Sequence, residues 1–284
     1  MPFAQIRGVK INYEVLGKRG PWMALSPGGR RALGEIKYLA EPLAQAGYRV
    51  LLHDRRNCGA SEVVIDGAES EYEIWADDLY ELLIELNALP AIVGGSSSGC
   101  RMAILFALRH PASVRALLLW RVTGGTFAAQ RLAENYYDQY IRAARAGGMA
   151  AVCDTEHFRE RIEVDPANRD KLMAMDPERF IAVMEHWRKY FLAGADLPII
   201  GASKEDLNSI RVPTCIIPGN DKTHGLQSGQ IAHELIPGSE LHHLFTEQLD
   251  VDLGPIEEWH ARTKEHADIL TDFLRRQRMS AAAA

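Results

Sequence analysis

Ala91-Ile92-Val93-Gly94-Gly95-Ser96-Ser97-Ser98-Gly99-Cys100-Arg101-Met102-Ala103-Ile104-Leu105-Phe106-Ala107-Leu108 runs from a short apolar stretch, through a Gly-x-Ser-x-Gly turn, into a helix-forming stretch. A strand meeting a helix at this turn has the form of a nucleophile elbow. A serine hydroxyl is a weak nucleophile. A tight turn lifts its oxygen above the sheet edge, and the N–H groups opening the next helix can hold a developing oxyanion. Glycines on both sides let the backbone turn without a Cβ clash. Ser97 is therefore the candidate nucleophile. Three serines between glycines would also suit a plain connecting loop, and it is the flanking strand and helix that favour the elbow.

The rest of the chain fits a sheet wrapped by helices. Short apolar runs alternate with longer amphipathic ones. Strands are expected at Gln5 to Arg7, Lys10 to Val15, Trp22 to Leu25, Tyr48 to His53, Val114 to Trp120, Thr214 to Pro218 and Glu240 to Phe245. Helices are expected at Leu33 to Ala46, Tyr72 to Leu89 and Ile256 to Arg276. In the second of these, Ile74, Leu79, Leu82, Leu83 and Leu86 recur at helical spacing and form one apolar stripe. Between Gly124 and about Ser209 only helical patterns appear. Parallel neighbours can be joined by one helix, so such a stretch must rise above the sheet. The expected organisation is an α/β core from residues 1–123 and 210–279, with 124–209 as an all-helical cap. The cap's aromatic and methionine residues, among them Phe127, Tyr137, Met173, Trp187 and Tyr190, suit the roof of an apolar pocket, although most would simply pack helix on helix.

Composition narrows the function. The chain has 284 residues, 47% hydrophobic and 25% charged, with a formal net charge of -6. That balance gives no electrostatic reason to bind nucleic acid. The first residues lack a signal-peptide pattern, and no run approaches the roughly 18 to 20 apolar residues of a membrane span. A cytoplasmic protein acting on a small molecule is expected, with no cofactor, no metal and no membrane partner; a homodimer stays open. Cys58, Cys100, Cys153 and Cys215 are far apart, without metal-ligand spacing, and read as buried thiols. The final Met279-Ser280-Ala281-Ala282-Ala283-Ala284 reads as a frayed end.

Four motifs together resemble the α/β-hydrolase fold with a helical cap, over essentially the whole chain. They are Leu25-Ser26-Pro27-Gly28-Gly29, Asp54-Arg55-Arg56-Asn57-Cys58-Gly59-Ala60-Ser61, the Ser97 elbow, and Pro218-Gly219-Asn220-Asp221-Lys222-Thr223-His224. The resemblance implies the chain order nucleophile, acid, histidine. Asp221 matches the acid, though an Asx turn would also place an aspartate there. The histidine departs from the pattern, because Thr246 to Pro255, where the resemblance places it, contains none. His260, at the start of the closing helix, is the first choice for the base. His242 and His243 on the last strand and His224 are the alternatives, and His266 is expected at the surface. Gly28, Gly29 and the N–H of Ser98 are candidate oxyanion donors. Arg30, Arg31, Arg55, Arg56, Arg101 and Arg121 gather at the sheet edge where ligands bind in open α/β folds. One or two of them, Arg30 and Arg121 first, are placed to hold a substrate carboxylate, with Tyr137 and Trp187 as apolar contacts; salt bridges to the scaffold are the alternative role.

Three functions are compatible with this. One is a serine hydrolase for a small ester, lactone or activated C–C bond. The others are a non-hydrolytic enzyme on the same fold (lyase, cofactor-free oxygenase or perhydrolase) and an inactive ligand-binding protein.

Overall fold

The apolar runs become the middle of one sheet. The computed structural model describes residues 2–279, so the alanine-rich end from Ser280 lies outside the described residues. The strands are β1 (Phe3–Ile6), β2 (Val9–Leu16), β3 (Trp22–Ser26), β4 (Arg49–His53), β5 (Ala91–Ser96), β6 (Val114–Trp120), β7 (Thr214–Ile217) and β8 (Glu240–Leu241). Their order across the sheet is β1-β2-β4-β3-β5-β6-β7-β8. β1, β2 and β4 pair antiparallel, and every pair from β4–β3 onward is parallel. β5 and β7 are buried at every position, as continuous apolar strands covered on both faces must be. The chain passes from β3 to β4 on one side and then returns to β5 on the other. That reversal opens a crevice at the carboxyl ends of β3 and β5.

The core helices are α1 (Lys37–Gln45), α2 (Glu71–Glu85) and α3 (Ser98–Arg109). A capping box starts α2, with the Ser70 hydroxyl and the Glu73 carboxylate each accepting from the other's backbone N–H. One apolar cluster fills the face carrying α2 and α3, with Trp75, Leu79, Leu82 and Phe106 fully buried. A second lies on the face of α1, with Leu39, Leu43, Trp120 and Phe273.

Between β6 and β7 the chain forms α4 (Thr126–Ala133), α5 (Gln139–Cys153), α6 (Glu156–Val164), α7 (Ala167–Met173), α8 (Pro177–Ala193) and α9 (Lys204–Ser209). Residues Glu134–Asp138 wind as a π turn between α4 and α5, and both Tyr136 and Tyr137 are buried there. A bend at Gly147 and Gly148, the latter with φ +63°, breaks α5. The inner faces of these helices, including Tyr140, Phe158, Phe180, Met184, Trp187 and Phe191, continue the first core cluster. Phe127 and Met173 instead face solvent, and Tyr190 is half exposed at the edge of a small cavity.

After β7 come α10 (Leu226–Leu235), which the apolar pattern does not announce, then α11 (Ile256–Ala261) and α12 (Thr263–Arg276). The expected single closing helix breaks at Arg262, so that Trp259 packs on Phe245 while α12 lies along α1. The last strand is only two residues long. His242 follows it, its N–H still donating to the Ile216 carbonyl at 2.9 Å and its ring 3.2 Å from Glu240 Oε2. All four cysteines are free and buried. Among the described residues no helix is long and apolar enough to cross a membrane.

Candidate active site

Ser97 sits between β5 and α3 with φ +53° and ψ -109°, a conformation costly for any residue with a Cβ. The glycines beside it serve close approach rather than unusual torsions. A Cβ on Gly95 would lie 2.6 Å from the Ser26 carbonyl oxygen, and one on Gly99 would run into the same oxygen. The elbow can therefore seat only against the end of β3 with both positions bare.

The imidazole on Ser97 belongs to His224. Its Nε2 is 2.8 Å from Ser97 Oγ, and its Nδ1 is 2.9 Å from Asp221 Oδ1. All three residues are buried, with 5%, 2% and 1% exposure for Ser97, His224 and Asp221. Asp221 also accepts the N–H of His224 at 2.8 Å and that of Gly254 at 2.9 Å, while Arg121 Nη2 stands 3.3 Å from its Oδ2. Burial pushes the Asp221 carboxyl upward, but the His224 hydrogen bond and charge, the Gly254 N–H and Arg121 outweigh it and hold the group well below the usual carboxylate range. An ionised Asp221 requires the proton of neutral His224 on Nδ1, which leaves Nε2 to accept from the Ser97 hydroxyl. Burial first, and Arg121 second, push the His224 imidazole down to about 4 despite Asp221. The imidazole is thus neutral at neutral pH.

His260, the first choice from sequence, is elsewhere. It is exposed on α11 with its ring 4.4 Å from Tyr38, because the residue of that helix turned inward is Trp259. His242 is half-buried beside Glu240, and His243 is exposed. His266 is fully buried between Trp120 and Trp259 rather than at the surface. The signal for His224 was present: Asp221 and His224 are three residues apart in one turn, closed by the His224 N–H on the Asp221 carbonyl.

Around the serine, the loop after β3 is fixed by the loop after β4. Asp54 accepts from the N–H of Leu33 at 2.6 Å, the N–H of Ala60 at 2.8 Å and Asn12 Nδ2 at 2.6 Å. Arg55 Nη2 donates to the carbonyls of Gly29 at 2.7 Å and Gly28 at 3.3 Å, and Ser98 Oγ donates to Gly29 at 2.7 Å. A trans peptide whose C=O is held on one side turns its N–H to the other, so the Gly28 carbonyl held by Arg55 turns the Gly29 N–H away from that guanidinium. Gly28 packs directly on the nucleophile: an added Cβ would be 3.4 Å from that of Ser97. Its N–H faces the half-buried Glu35 carboxyl, which burial raises against the pull of Arg31, Arg121, Arg55 and that N–H. The N–H of Ser98 belongs to the first turn of α3, whose amides have no partner within the helix.

The arginines divide by partner. Arg30 pairs with Glu71 at 2.9 Å, which also accepts from the Tyr137 hydroxyl at 3.2 Å. Arg56 holds Asp78 through two nitrogens, and Arg121 faces Asp221. For Arg30 and Arg121, named first for a substrate carboxylate, the structure supplies protein carboxylates instead. Arg31 is exposed near Glu35. Arg101 and Trp187 line a small cavity under the cap.

A parallel sheet carrying a serine elbow at the end of its central strand, with acid and histidine beyond a later strand, defines a class. The chain has the α/β-hydrolase fold. The family model for the alpha/beta hydrolase fold matches residues 28–147. Over 114 residues the chain is 32% identical to the uncharacterized hydrolase YraK of Bacillus subtilis strain 168, covering 40% of this chain and 41% of that protein. It therefore spans less than half the length of that relative. Over 249 residues it is 28% identical to the 2-hydroxy-6-oxononadienedioate/2-hydroxy-6-oxononatrienedioate hydrolase of Escherichia coli K12, covering 82% of this chain and 77% of that protein. Among solved structures, the enol-lactonase from Burkholderia xenovorans LB400 superposes with a TM-score of 0.64 at 23% identity, over 95% of this chain and all of that one.

Proposed function

We propose that the protein is a serine hydrolase in which Ser97 is the nucleophile, His224 the general base and Asp221 the residue that orients it. Its substrates are small molecules with an activated carbonyl: an ester, a lactone, or a C–C bond flanked by a carbonyl. The observation that carries this is the chain of contacts from Ser97 Oγ to His224 Nε2 at 2.8 Å and from His224 Nδ1 to Asp221 Oδ1 at 2.9 Å. The names of the Escherichia coli and Burkholderia relatives, a hydrolase of an oxo-dioate and an enol-lactonase, support the substrate range.

In this mechanism Ser97 Oγ adds to the carbonyl carbon as its proton passes to His224 Nε2, and Asp221 stabilises the imidazolium. The N–H groups of Ser98 and Gly29 receive the oxyanion. His224 then returns the proton to the leaving group, and water, activated by the same imidazole, releases the acyl group from Ser97. The helices between β6 and β7, residues 124–209, act as the cap that closes the site from water.

The test is a mass spectrum after treatment with a fluorophosphonate probe, run beside a panel of aryl esters and lactones. The expected result is an adduct on Ser97, turnover of part of the panel, and a loss on the order of a million-fold in Ser97→Ala. A Ser97→Ala protein keeping a tenth of the activity would overturn the mechanism. An unlabelled protein that binds ligand without turnover would instead be the inactive ligand-binding relative.

A further inference from the structure

The proposed mechanism leaves one group of buried polar atoms unused. Below the cap helices lies a cavity of about 120 Å³ whose lining includes Glu71, Tyr72, Arg101, Tyr137, Trp187 and Phe191. Arg101 is on α3, one turn beyond the nucleophile, and its backbone N–H donates to the Ser97 carbonyl at 3.1 Å. Its side chain is 4% exposed. Nε donates to the Ile200 carbonyl at 2.9 Å, whereas Nη1 is buried with no hydrogen-bond partner. The guanidinium lies 3.7 Å from the centroid of the Tyr72 ring and 4.4 Å from that of Phe191.

The other buried arginines meet protein oxygen atoms, Arg161 that of Glu160 at 3.0 Å, although nitrogens of Arg30, Arg55, Arg121 and Arg161 also lack partners. Arg30, Arg56 and Arg121 each meet a carboxylate, and Arg55 meets three oxygen atoms, from Ser98, Gly28 and Gly29. Among the described residues no carboxylate pairs with Arg101. A buried cation without a counter-ion is expensive, and Arg101, with one hydrogen bond and two ring faces, has less to offset that cost than Arg55 with its three oxygen atoms. Two more donors on the same cavity also lack acceptors: the Tyr72 hydroxyl and the Trp187 indole N–H. Glu71 and Glu73 contribute the negative charges on this wall; Arg30 pairs with Glu71 at 2.9 Å, Arg109 stands 3.5 Å from Glu73, and Glu71 Oε1 has no partner. The cavity thus carries two carboxylates paired with other arginines, one guanidinium without a carboxylate partner and three donors without acceptors.

We propose that this cavity is the anion subsite of the catalytic pocket. Arg101, with the Tyr72 hydroxyl and the Trp187 N–H, receives a carboxylate on the substrate, joined by a short carbon chain to the carbonyl that Ser97 attacks. The inference rests on the hydrolase reading for its connection to Ser97, and it narrows the substrate class to carboxylate-bearing esters, lactones or ketones. Arg101 is then a specificity-determining residue, one helical turn from the reacting atom.

The experiment measures binding to Ser97→Ala protein by calorimetry with two matched pairs of probes, pentanoate against pentanamide and benzoate against benzamide. Each pair keeps shape and changes charge. The carboxylate should bind at least tenfold more tightly than its amide in both pairs, and Arg101→Met in the same background should abolish that difference. Arg101→Lys, which keeps the charge but not the planar fork, should retain part of it. With active enzyme, mono-4-nitrophenyl glutarate should show a lower KM than 4-nitrophenyl pentanoate, and Arg101→Met should reverse the order. Equal affinity for acid and amide, no binding of either, or discrimination that survives Arg101→Met would each overturn the proposal. If Arg101→Met fails to fold, judged by circular dichroism, the acid–amide comparison and Arg101→Lys decide. Carboxylate discrimination in a protein whose Ser97 takes no probe would keep the anion site and remove the hydrolase reading. Labelled Ser97 and ester turnover without discrimination would do the reverse.

Discussion

The acid limb of the pH–rate profile should fall near pH 4, well below the 6.5 or so of a free imidazole. The cause is in the burial of His224 and in Arg121, whose Nη2 stands 3.4 Å from His224 Nδ1. Moving the imidazole from its ordinary value to about 4 corresponds to about 3 kcal/mol against the protonated form. Because the base must be neutral, kcat/KM should be flat from about pH 5 upward and fall as pH drops through about 4, kcat/KM being the parameter that reports the free enzyme. Stability changes over the neighbouring window. The unfolded chain protonates His224 near 6.5 and the folded one only near 4, so this group's contribution is complete above 6.5 and is lost as pH falls from there to 4. Replacing Arg121 with Met isolates one cause. At 3.4 Å and an effective dielectric of about 20, a unit charge is worth about 5 kcal/mol, an upper bound because Asp221 faces both groups. The acid limb of Arg121→Met should therefore move up by about 1 unit, with the larger burial effect left in place. The assay is a pH-stat measurement on a neutral aliphatic ester, with circular dichroism at each pH to separate unfolding from titration. A parent midpoint between 6 and 7 would refute the burial argument, and a variant midpoint unmoved or lowered would refute the role of Arg121.

Three further outcomes follow from the geometry. His224→Ala should lose about a hundred- to ten-thousand-fold in turnover, the range for a general base, while His260→Ala should stay within about threefold of the parent; steady-state kinetics on one aryl ester compares them directly. Ser97→Gly should abolish activity yet melt at a higher temperature than Ser97→Ala, because relieving φ +53° and ψ -109° recovers about 1–3 kcal/mol; equal melting temperatures would mean that the elbow stores no strain. Gly99→Ala, whose new methyl would run into the Ser26 carbonyl, should lower both melting temperature and probe labelling of Ser97. A variant labelled at the parental rate would show that the elbow does not depend on that close approach.

The sheet and the strand–turn–helix geometry at Ser97 were legible in the sequence because each depends on local chemistry. Val114 to Trp120 is a strand over the whole of its apolar run, and Gly-Ser-Ser-Ser-Gly after a buried strand admits few other conformations. Where the outcome depended on packing between distant segments, the pattern was silent. His242 and His243 carry the right residue type next to the right strand, but β8 ends at Leu241 and neither ring approaches Ser97. On α11, Trp259 takes the buried position and turns His260 outward. The roles of the arginines were equally hidden, since Glu71, Asp78 and Asp221 lie far away in sequence from the guanidiniums they meet.

On the proposed mechanism acid and base share one turn, which changes what the rest of the site has to do. In the expected arrangement, two separate loops would have to hold their positions for the carboxylate to meet the imidazole. Here the Asp221–His224 pair is set by a single turn, closed by the His224 N–H on both the Asp221 carbonyl at 3.2 Å and its carboxylate at 2.8 Å. The loop after β8 still contributes, but through backbone: the Gly254 N–H donates to Asp221 at 2.9 Å, and a Cβ at Gly254 would stand 3.4 Å from Asp221 Oδ2. Side chains in that loop, exposed from Thr246 to Gln248 and again from Asp250 to Leu253, meet the turn at its ends, Asp250 at Lys222 and Gln248 at the Leu226 N–H, and form no hydrogen bond with Asp221 or His224. Substitutions there should act through the position of Gly254 and of the turn that Asp250 and Gln248 touch at Lys222 and Leu226, and so through the ionisation of Asp221 and the tautomer of His224 rather than through Ser97.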